Sequence, residues 1–424
     1  MRRALTVFST IVIVLFFLSL FGWMVSHIVK GDKKFGFLEE PIKFLYSFPD
    51  SFKQSVKEVK SLPKTFIKTP ANLKTINTLS EDLLATIAYS DTSNSRTIEI
   101  INLKDDSVHF KRTIENKFFE ETSRIFNPIV MPDSSIIYAF DNKWTGIIRM
   151  NSNGEKLWEQ KNIYQHHSMV LDEDNNLWIC SNPPVYFATA SYKLNGRNIF
   201  YLDNYITKLN AETGQILFNK SFSEILKENG LEYYITKSAN AKDPIHLNDV
   251  EPALKTTKYY NKGDVFVSSR NLSIILHYRP ESNEIIRIIE GPFASQHDVD
   301  FYNDSSLVFF NNNFYNKWTY ETMNPPKDSV YLTEIGTMSS VITKYDFWNE
   351  KFSVIKEEVF ERNNIFTGTE GLIEYINDST IFVEEQNSGL LWIIQGDKVI
   401  YKNVLKSQHK GYHHLPNWTR ILKN

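Results

Sequence analysis

Histidines stand at corresponding places in three similar segments of this chain. The segments are Gln165-His166-His167-Ser168, His246-Leu247-Asn248-Asp249 and Gln296-His297-Asp298. Each precedes an apolar run, a polar turn and a second apolar run, which is the pattern of a β-hairpin. Repeats that close into a ring bring equivalent positions together, and imidazoles can donate, accept or attack. The spacing therefore predicts one pocket that several histidines share.

An arginine is expected beside these histidines. In an antiparallel hairpin the start of the first strand lies next to the end of the second. Arg270 closes the hairpin that His246 opens, and residues 311–312 close the one that His297 opens. A guanidinium is a planar fork of donors that suits sulfate or phosphate oxygens, and Asn248 adds a neutral donor. The predicted chemistry is binding and transfer of a tetrahedral oxyanion.

Other chemistries have weaker support. Converging histidines could bind a metal, but spacings of about 80 and 50 residues form no ligand motif, so we predict no metal and no cofactor. Asp298 either orients an imidazole or accepts a hydrogen bond from a backbone amide, and both readings stay open. The lone cysteine, Cys180, lies in an apolar strand pattern and is predicted to be a buried packing residue.

Composition narrows the class of partner. The 424 residues carry a formal net charge of −3, and 14% of them are aromatic. A chain without a basic excess is not expected to bind nucleic acid. The high aromatic content supplies material for a large core, so we expect a folded globular protein.

The N-terminal segment indicates a membrane anchor. Residues 7–29 form an almost uninterrupted apolar run after Met1-Arg2-Arg3, long enough to cross a hydrocarbon core. A cleaved signal peptide is the alternative, but the run is longer than an ordinary signal core. We predict a transmembrane anchor over residues 1–33, an amphipathic stalk over 34–77, and a propeller in the periplasm or outside the cell.

Strand patterns dominate from residue 78 to 424. Four-strand units of about 40 to 50 residues repeat along this region, and such a period is typical of a β-propeller. The units begin near Leu79, Arg124, His166, His246, Ser295 and Thr367. The fold class predicted is all-β, a six-bladed β-propeller after one transmembrane helix and a short helical stalk. We expect the C-terminal segment to complete a blade, or Arg420 or His414 to reach the pocket, and a short helix within 222–229.

The motifs resemble those of the arylsulfotransferase family, the PAPS-independent aryl-sulfate sulfotransferases, over residues 124–313. The resemblance rests on His166-His167, on His246-Leu247-Asn248 followed by the run Asp264 to Arg270, and on Gln296-His297-Asp298. It implies a six-bladed propeller that passes a sulfuryl group from an aryl sulfate to a hydroxyl acceptor.

The resemblance also implies residue roles. His297 matches the histidine that is transiently sulfated. His246, Asn248 and Arg270 match the cluster that binds the sulfate, and His167, or alternatively His166, matches an early histidine of the site. No separate N-terminal β-sandwich is expected here, so the chain resembles a membrane-tethered branch of the family.

Two other functions are weighed against this one. The first is a non-catalytic envelope propeller that binds anionic glycans or scaffolds a complex, which predicts saturable binding without turnover. The second is a lyase or hydrolase that uses the same histidines with a metal.

Overall fold

The computed structural model describes residues 2–30, 35–39, 41–42, 44–45, 66–92, 95–115, 124–140, 146–182, 190–194, 196–314 and 339–422. The N-terminal segment and the residues from 64 onward form separate compact units. The helices are α1 (Arg2–Lys30), α2 (Phe222–Glu228) and α3 (Glu357–Asn363), with 3-10 turns at Gly36–Leu38 and Glu232–Lys237. The 24 residues Leu5–Ile28 of α1 are long and apolar enough to cross a membrane, by length and composition alone.

Strands make up most of the second unit. In chain order they are β1 (Phe66–Lys68), β2 (Ile76–Asn77), β3 (Leu84–Thr92), β4 (Ser95–Asn102), β5 (Val108–Glu115), β6 (Ile129–Val130), β7 (Ile136–Tyr138), β8 (Ile147–Met150), β9 (Lys156–Gln160), β10 (Tyr164–Leu171), β11 (Asn176–Asn182), β12 (Ala190–Leu194), β13 (Arg197–Tyr201), β14 (Tyr205–Asn210), β15 (Ile216–Ser221), β16 (Leu247–Pro252), β17 (Val265–Ser269), β18 (Ile274–Arg279), β19 (Glu284–Ile289), β20 (His297–Asn303), β21 (Ser306–Asn311), β22 (Val341–Asp346), β23 (Lys351–Ile355), β24 (Leu372–Asn377), β25 (Thr380–Glu385), β26 (Leu390–Gln395), β27 (Lys398–Lys406), β28 (Tyr412–His414) and β29 (Arg420–Ile421).

These strands form a β-propeller arrangement of antiparallel sheets. Sheet 1 has the order β29-β3-β4-β5, sheet 2 β6-β7-β8-β9, sheet 3 β10-β11-β14-β15, sheet 4 β16-β17-β18-β19 and sheet 5 β20-β21-β22-β23. Sheet 6 has seven strands, in the order β1-β28-β27-β26-β25-β24 with β2 on β27, and β12 and β13 pair as a separate hairpin.

Burial changes regularly across each sheet. The second strands, such as β11, β17, β21 and β25, are buried at every residue, because both of their faces pack on other sheets. Strands covered on both faces read as continuous apolar runs rather than alternating ones. The outermost strands β9 and β15 begin with exposed residues, since only part of their surface is covered.

Hydrophobic clusters join successive sheets. Ile98 of sheet 1 packs in one cluster with Ile136 of sheet 2, and five further clusters of described residues connect the remaining neighbours. The last of these places Ile393 of sheet 6 with Ile87 of sheet 1, which closes the ring. A single sheet could not bury both faces alone, so the ring is the unit that is stable.

Side-chain oxygens also connect the innermost strands, and we call these the inner-strand contacts. In each, an oxygen on one innermost strand accepts a hydrogen bond from a backbone N–H on the innermost strand of the next sheet. They run from Val250 N to Ser168 Oγ at 3.2 Å, from Val299 N to Asp249 Oδ2 at 2.6 Å, from Ile373 N to Asp298 Oδ2 at 2.6 Å and from Ile421 N to Glu374 Oε2 at 2.8 Å. Asp298 therefore holds a backbone amide, the second of its two expected roles.

The C-terminal segment closes the ring, as expected. β29 pairs with β3 and supplies the innermost strand of sheet 1. Glu384 accepts hydrogen bonds from the backbone N–H groups of Trp418 and Thr419 at 3.0 and 2.8 Å. Burial raises the pKa of Glu384 to about 7.

The predicted count of six four-stranded blades is wrong in detail. Five sheets of the described residues have four strands, and sheet 6 is larger because β1, β2 and β28 add to it. The short helix expected within 222–229 is confirmed as α2, which Ser221 caps through its side chain. The amphipathic pattern at residues 52–60 of the predicted stalk lies outside the described residues.

Replacing the closing strand's buried side chain tests this closure. Ile421 is 3% exposed in the cluster between sheets 6 and 1, so Ile421→Ala should lower the free energy of unfolding by about 2–5 kcal/mol. Urea denaturation followed by tryptophan fluorescence measures the change. Leu217→Ala, on outer strand β15 and 49% exposed, is the matched control and should change it far less. Equal losses would show that β29 does not close the ring.

Candidate active site

The histidines lie where three innermost strands begin with the same irregularity. The register of β10 shifts between Gln165 and Met169, that of β16 between Leu247 and Asp249, and that of β20 between His297 and Val299. Such bulges re-aim side chains and are common beside active sites.

The backbone at these bulges adopts the left-handed conformation. His167 has φ of 63°, His246 of 52° and Asp298 of 56°. Residues that are not glycine enter this region at a cost, and they cluster at functional sites. The geometry thus sets these three strand starts apart from ordinary strand ends.

The structure brings the predicted histidines together. Ring centroids are 4.3 Å apart for His166 and His167, 4.7 Å for His166 and His246, 5.2 Å for His167 and His246, and 5.7 Å for His167 and His297. Phe126 and Trp418 lie beside the ring of His167, with centroids at 5.9 and 6.0 Å. We call the four imidazoles the histidine cluster.

Arg270 and Asn248 also lie at this rim. The backbone N–H of Arg270 donates to the carbonyl oxygen of His246 at 3.0 Å, so the hairpin end and start are adjacent as expected. The guanidinium is close enough to lower the pKa of three cluster members, after burial. Asn248 is fully buried, and its Nδ2 donates to the backbone carbonyl of Gln296 at 2.6 Å.

The proton of His297 is located by its neighbours. Nδ1 of His297 lies 3.0 Å from the carbonyl oxygen of Ser295 and 2.8 Å from Oδ1 of Asn312. The orientation of the Asn312 amide is fixed, because its Nδ2 donates to the carbonyl oxygens of Thr367 and Glu370 at 2.8 and 2.6 Å. Two acceptors at Nδ1 require the hydrogen there, which leaves the lone pair on Nε2.

Burial and Arg270 keep His297 neutral. Burial, and after it the guanidinium of Arg270, lower the pKa of His297 to about 3. An imidazole with its lone pair available at neutral pH is a competent nucleophile. In the unfolded chain this imidazole takes up a proton below about pH 6.5, whereas in the folded chain burial keeps it neutral. The free energy of unfolding is therefore highest above about pH 6.5 and decreases as the pH falls below that value.

A second chain of hydrogen bonds runs through Asp243, His246 and His167. Nδ1 of His246 lies 2.5 Å from Oδ2 of Asp243, and Nε2 of His246 lies 3.2 Å from Nε2 of His167. Asp243 was not singled out from the sequence. Its position three residues before His246 is the local signal that could have found it.

Three members of the cluster also satisfy the spacing of a metal site. One ligand atom from each of His166, His167 and His246 lies within 4.8 Å of the others. A metal-bound histidine normally donates its other N–H to an acceptor. Nδ1 of His167 is buried without a hydrogen-bond partner, so binding through Nε2 would leave an unsatisfied N–H. Binding a metal through Nε2 of His167 would also break the hydrogen bond between His167 and His246.

The central cavity lies next to the cluster. It has a volume of about 480 Å³, and its described lining includes Ser168, Asp249, Asp298, Glu374 and Arg420. The first three directly follow His167, Asn248 and His297 in sequence. Arg420 donates to Asn127 and, at 2.8 Å, to the carbonyl oxygen of Met169. Arg420 therefore lines the cavity and holds the inner strands.

His414 and Cys180 have structural surroundings. Nδ1 of His414 lies 3.1 Å from the carbonyl oxygen of Ser90, and the ring contacts Tyr89 with centroids 4.4 Å apart. Cys180 is fully buried, and burial raises the pKa of its thiol. Cys180 is the buried packing residue that the sequence predicts.

Comparison with known proteins agrees with the motif and the fold. The family model of the arylsulfotransferases (ASST) matches residues 127–400, which is more than half of the chain. The chain belongs to the arylsulfotransferase family. Membership of the arylsulfotransferases supports a sulfotransferase activity on small molecules. No curated protein matches the chain.

Solved structures show the fold alone. A protein of unknown function from Bacteroides caccae aligns with TM-score 0.51 and 10% identity, covering 81% of this chain and all of that chain. The nidogen/laminin complex aligns with TM-score 0.44 and 9% identity over 80% and 98% of the two chains. A streptogramin B lyase aligns with TM-score 0.39 and 13% identity over 86% and 100%. The last two carry no argument about this chain.

The tautomer of His297 can be tested directly. Long-range ¹H–¹⁵N spectra of the histidine-labelled full chain in detergent should show His297 protonated at Nδ1, with no titration between pH 5 and 8, because its pKa is about 3. The signal is assigned by its loss in His297→Asn. A midpoint near the unfolded value of about 6.5 would contradict the assignment, as would an Nε2–H tautomer.

Proposed function

We propose that this protein is a membrane-anchored sulfotransferase that moves a sulfuryl group from an aryl sulfate to a phenolic or other hydroxyl acceptor through a sulfohistidine at His297. In this proposal residues 1–33 are the anchor, 34–77 the stalk and 78–424 the catalytic propeller. Sheet 6 serves as the sixth blade, and β1 and β2 at the end of the stalk add to it. The propeller would lie in the periplasm or outside the cell.

The observation that carries the proposal is the pair of acceptors at Nδ1 of His297. They place the lone pair on Nε2 of a neutral imidazole, inside a cluster that contains Arg270. Nε2 attacks sulfur as the aryl oxygen leaves with the electron pair of the S–O bond. The acceptor hydroxyl then attacks the same sulfur and releases His297.

Electrostatic support for this transfer comes from groups that are already in place. A sulfuryl transition state spreads charge over its oxygens, by analogy with phosphoryl transfer, and preoriented donors stabilise it. Arg270 is assigned to those oxygens, and His246 joins it as a donor when it is protonated, with His167, His166 and Asn248 completing the binding site. No cofactor or metal takes part in this proposal.

Removing the nucleophile should abolish transfer. We expect His297→Ala and His297→Asn to lose phenol-dependent release from a chromogenic aryl sulfate, and to lose the sulfuryl adduct seen by intact mass and mapped by peptide analysis. His109→Ala, at an exposed position of β5, is the control and should keep both. Turnover retained in folded His297 variants would refute the sulfohistidine route. Saturable binding of sulfated glycans without turnover in the unaltered protein would favour the binding propeller.

Replacing the guanidinium should slow transfer without preventing folding. Lys substitutes a point charge for a planar fork, so Arg270→Lys should lower kcat/KM for the donor by about 100-fold, the lower range for loss of one oxyanion donor. Arg279→Lys is the matched control, because Arg279 makes a two-point contact with Asp264 at 2.7 and 2.9 Å outside the histidine cluster. An unchanged kcat/KM in Arg270→Lys would show that the Arg270 guanidinium does not bind the sulfuryl oxygens.

A further inference from the structure

Asp243 stands behind the histidine cluster in a fixed position. Its Oδ2 lies 2.5 Å from Nδ1 of His246, and its backbone carbonyl accepts from Nδ2 of Asn271 at 2.6 Å. Burial raises the pKa of Asp243, but the hydrogen bond from His246 and the charge of Arg270 hold that pKa below its ordinary value. The carboxylate is therefore ionised and can only accept.

This carboxylate determines where the protons of two histidines lie. Because Asp243 accepts, Nδ1 of His246 carries hydrogen, and burial keeps His246 neutral despite Asp243, so Nε2 of His246 holds a lone pair. Nε2 of His167 lies 3.2 Å away and must donate to it. Burial, and after it the charge of Arg270, also keep His167 neutral, which puts its lone pair on Nδ1.

The consequence appears at Nδ1 of His167. That atom is buried and has no hydrogen-bond partner. A buried acceptor without a donor is a site at which a substrate hydroxyl could be bound. The ring of His167 lies 5.7 Å from that of His297, so such a hydroxyl would be close to the proposed nucleophile.

We infer that Asp243, His246 and His167 form a proton relay, in which Asp243 is the positioning residue that sets the tautomer of both histidines. This inference rests on the proposed function for its catalytic role. The assignment of the His246 and His167 tautomers does not depend on that function.

The relay balances the proton of the transfer reaction. When the acceptor oxygen forms its bond to sulfur, the S–Nε2 bond breaks and its electron pair returns to His297. The hydroxyl proton passes to Nδ1 of His167, and the Nε2 proton of His167 passes to Nε2 of His246. The carboxylate of Asp243 offsets the charge of the resulting imidazolium. In the first turnover the relay is neutral, so the aryl oxygen leaves as the phenolate and takes its proton from solvent. In each later turnover the donor's aryl oxygen takes a proton back along the same path as it leaves.

The test is Asp243→Asn in the full chain, assayed with phenolic acceptors of graded acidity. A neutral amide can present either donor or acceptor to His246, so the tautomer is no longer imposed. Weakly acidic acceptors need their proton removed, and their transfer should slow by about 100-fold, the lower end of what general acid–base catalysis contributes. Strongly acidic phenols are already ionised, so their transfer should be nearly unchanged. Uniform loss over all acceptors would overturn the relay.

Asp264→Asn is the matched control. Asp264 makes a second Asp–His contact among the described residues, at 2.8 Å to Nε2 of His277, outside the histidine cluster. This variant should show no dependence on acceptor acidity beyond that of the unaltered protein. A dependence equal to that of Asp243→Asn would overturn the assignment, because loss of any buried Asp–His pair would then explain it.

A readout without turnover separates this inference from the proposed function. Long-range ¹H–¹⁵N spectra of the unaltered chain should show His246 protonated at Nδ1 and His167 at Nε2, and Asp243→Asn should change the His246 pattern. These tautomers in a protein without sulfotransferase activity would leave the positioning role of Asp243 standing while the proposed function fails. The opposite tautomers in an active sulfotransferase would overturn the relay alone.

Discussion

The inner-strand contacts are the constraint on which the structure depends. Oxygens of Ser168, Asp249, Asp298 and Glu374 each hold a backbone N–H of the next sheet, and the residues that donate these N–H groups are buried. Leaving a buried N–H unsatisfied costs about 1–3 kcal/mol, so each contact fixes its neighbour's position along the ring axis. These contacts add direction to the apolar packing between sheets, which is strong but not directional.

The starts of β10, β16 and β20 contain both the residues that connect neighbouring sheets and the residues of the candidate site. His167, Asn248 and His297 each immediately precede a residue that makes an inner-strand contact, and a bulge turns the two neighbours apart. One residue of each pair therefore ties the sheets together, while the other lies at the rim of the cluster. Sites built on rigid strands hold their geometry better than sites on loops.

Much of this arrangement could be predicted, because the signals were local and repeated. Apolar runs between polar turns indicated hairpins, and the hairpin rule placed Arg270 beside His246 and Asn312 beside His297. The number of strands in sheet 6 could not be predicted. β1 and β2 come from a segment without a strand pattern, and they pair only because β27 and β28 present an edge to them. Asp243 was not predicted as a site residue, because one carboxylate near one histidine is common in any sequence.

By itself the sequence determined the strand-rich class, the apolar N-terminal segment, the recurring histidines and the motifs of the arylsulfotransferase family, since each depends on residue type and spacing along the chain. Only the tertiary structure decided which nitrogen of each imidazole carries hydrogen. That choice depends on Asn312, Ser295 and Asp243, whose acceptor atoms are positioned by loops and by neighbouring sheets. Hydrogen bonding acts between atoms brought together in space, and spacing along the chain does not record it.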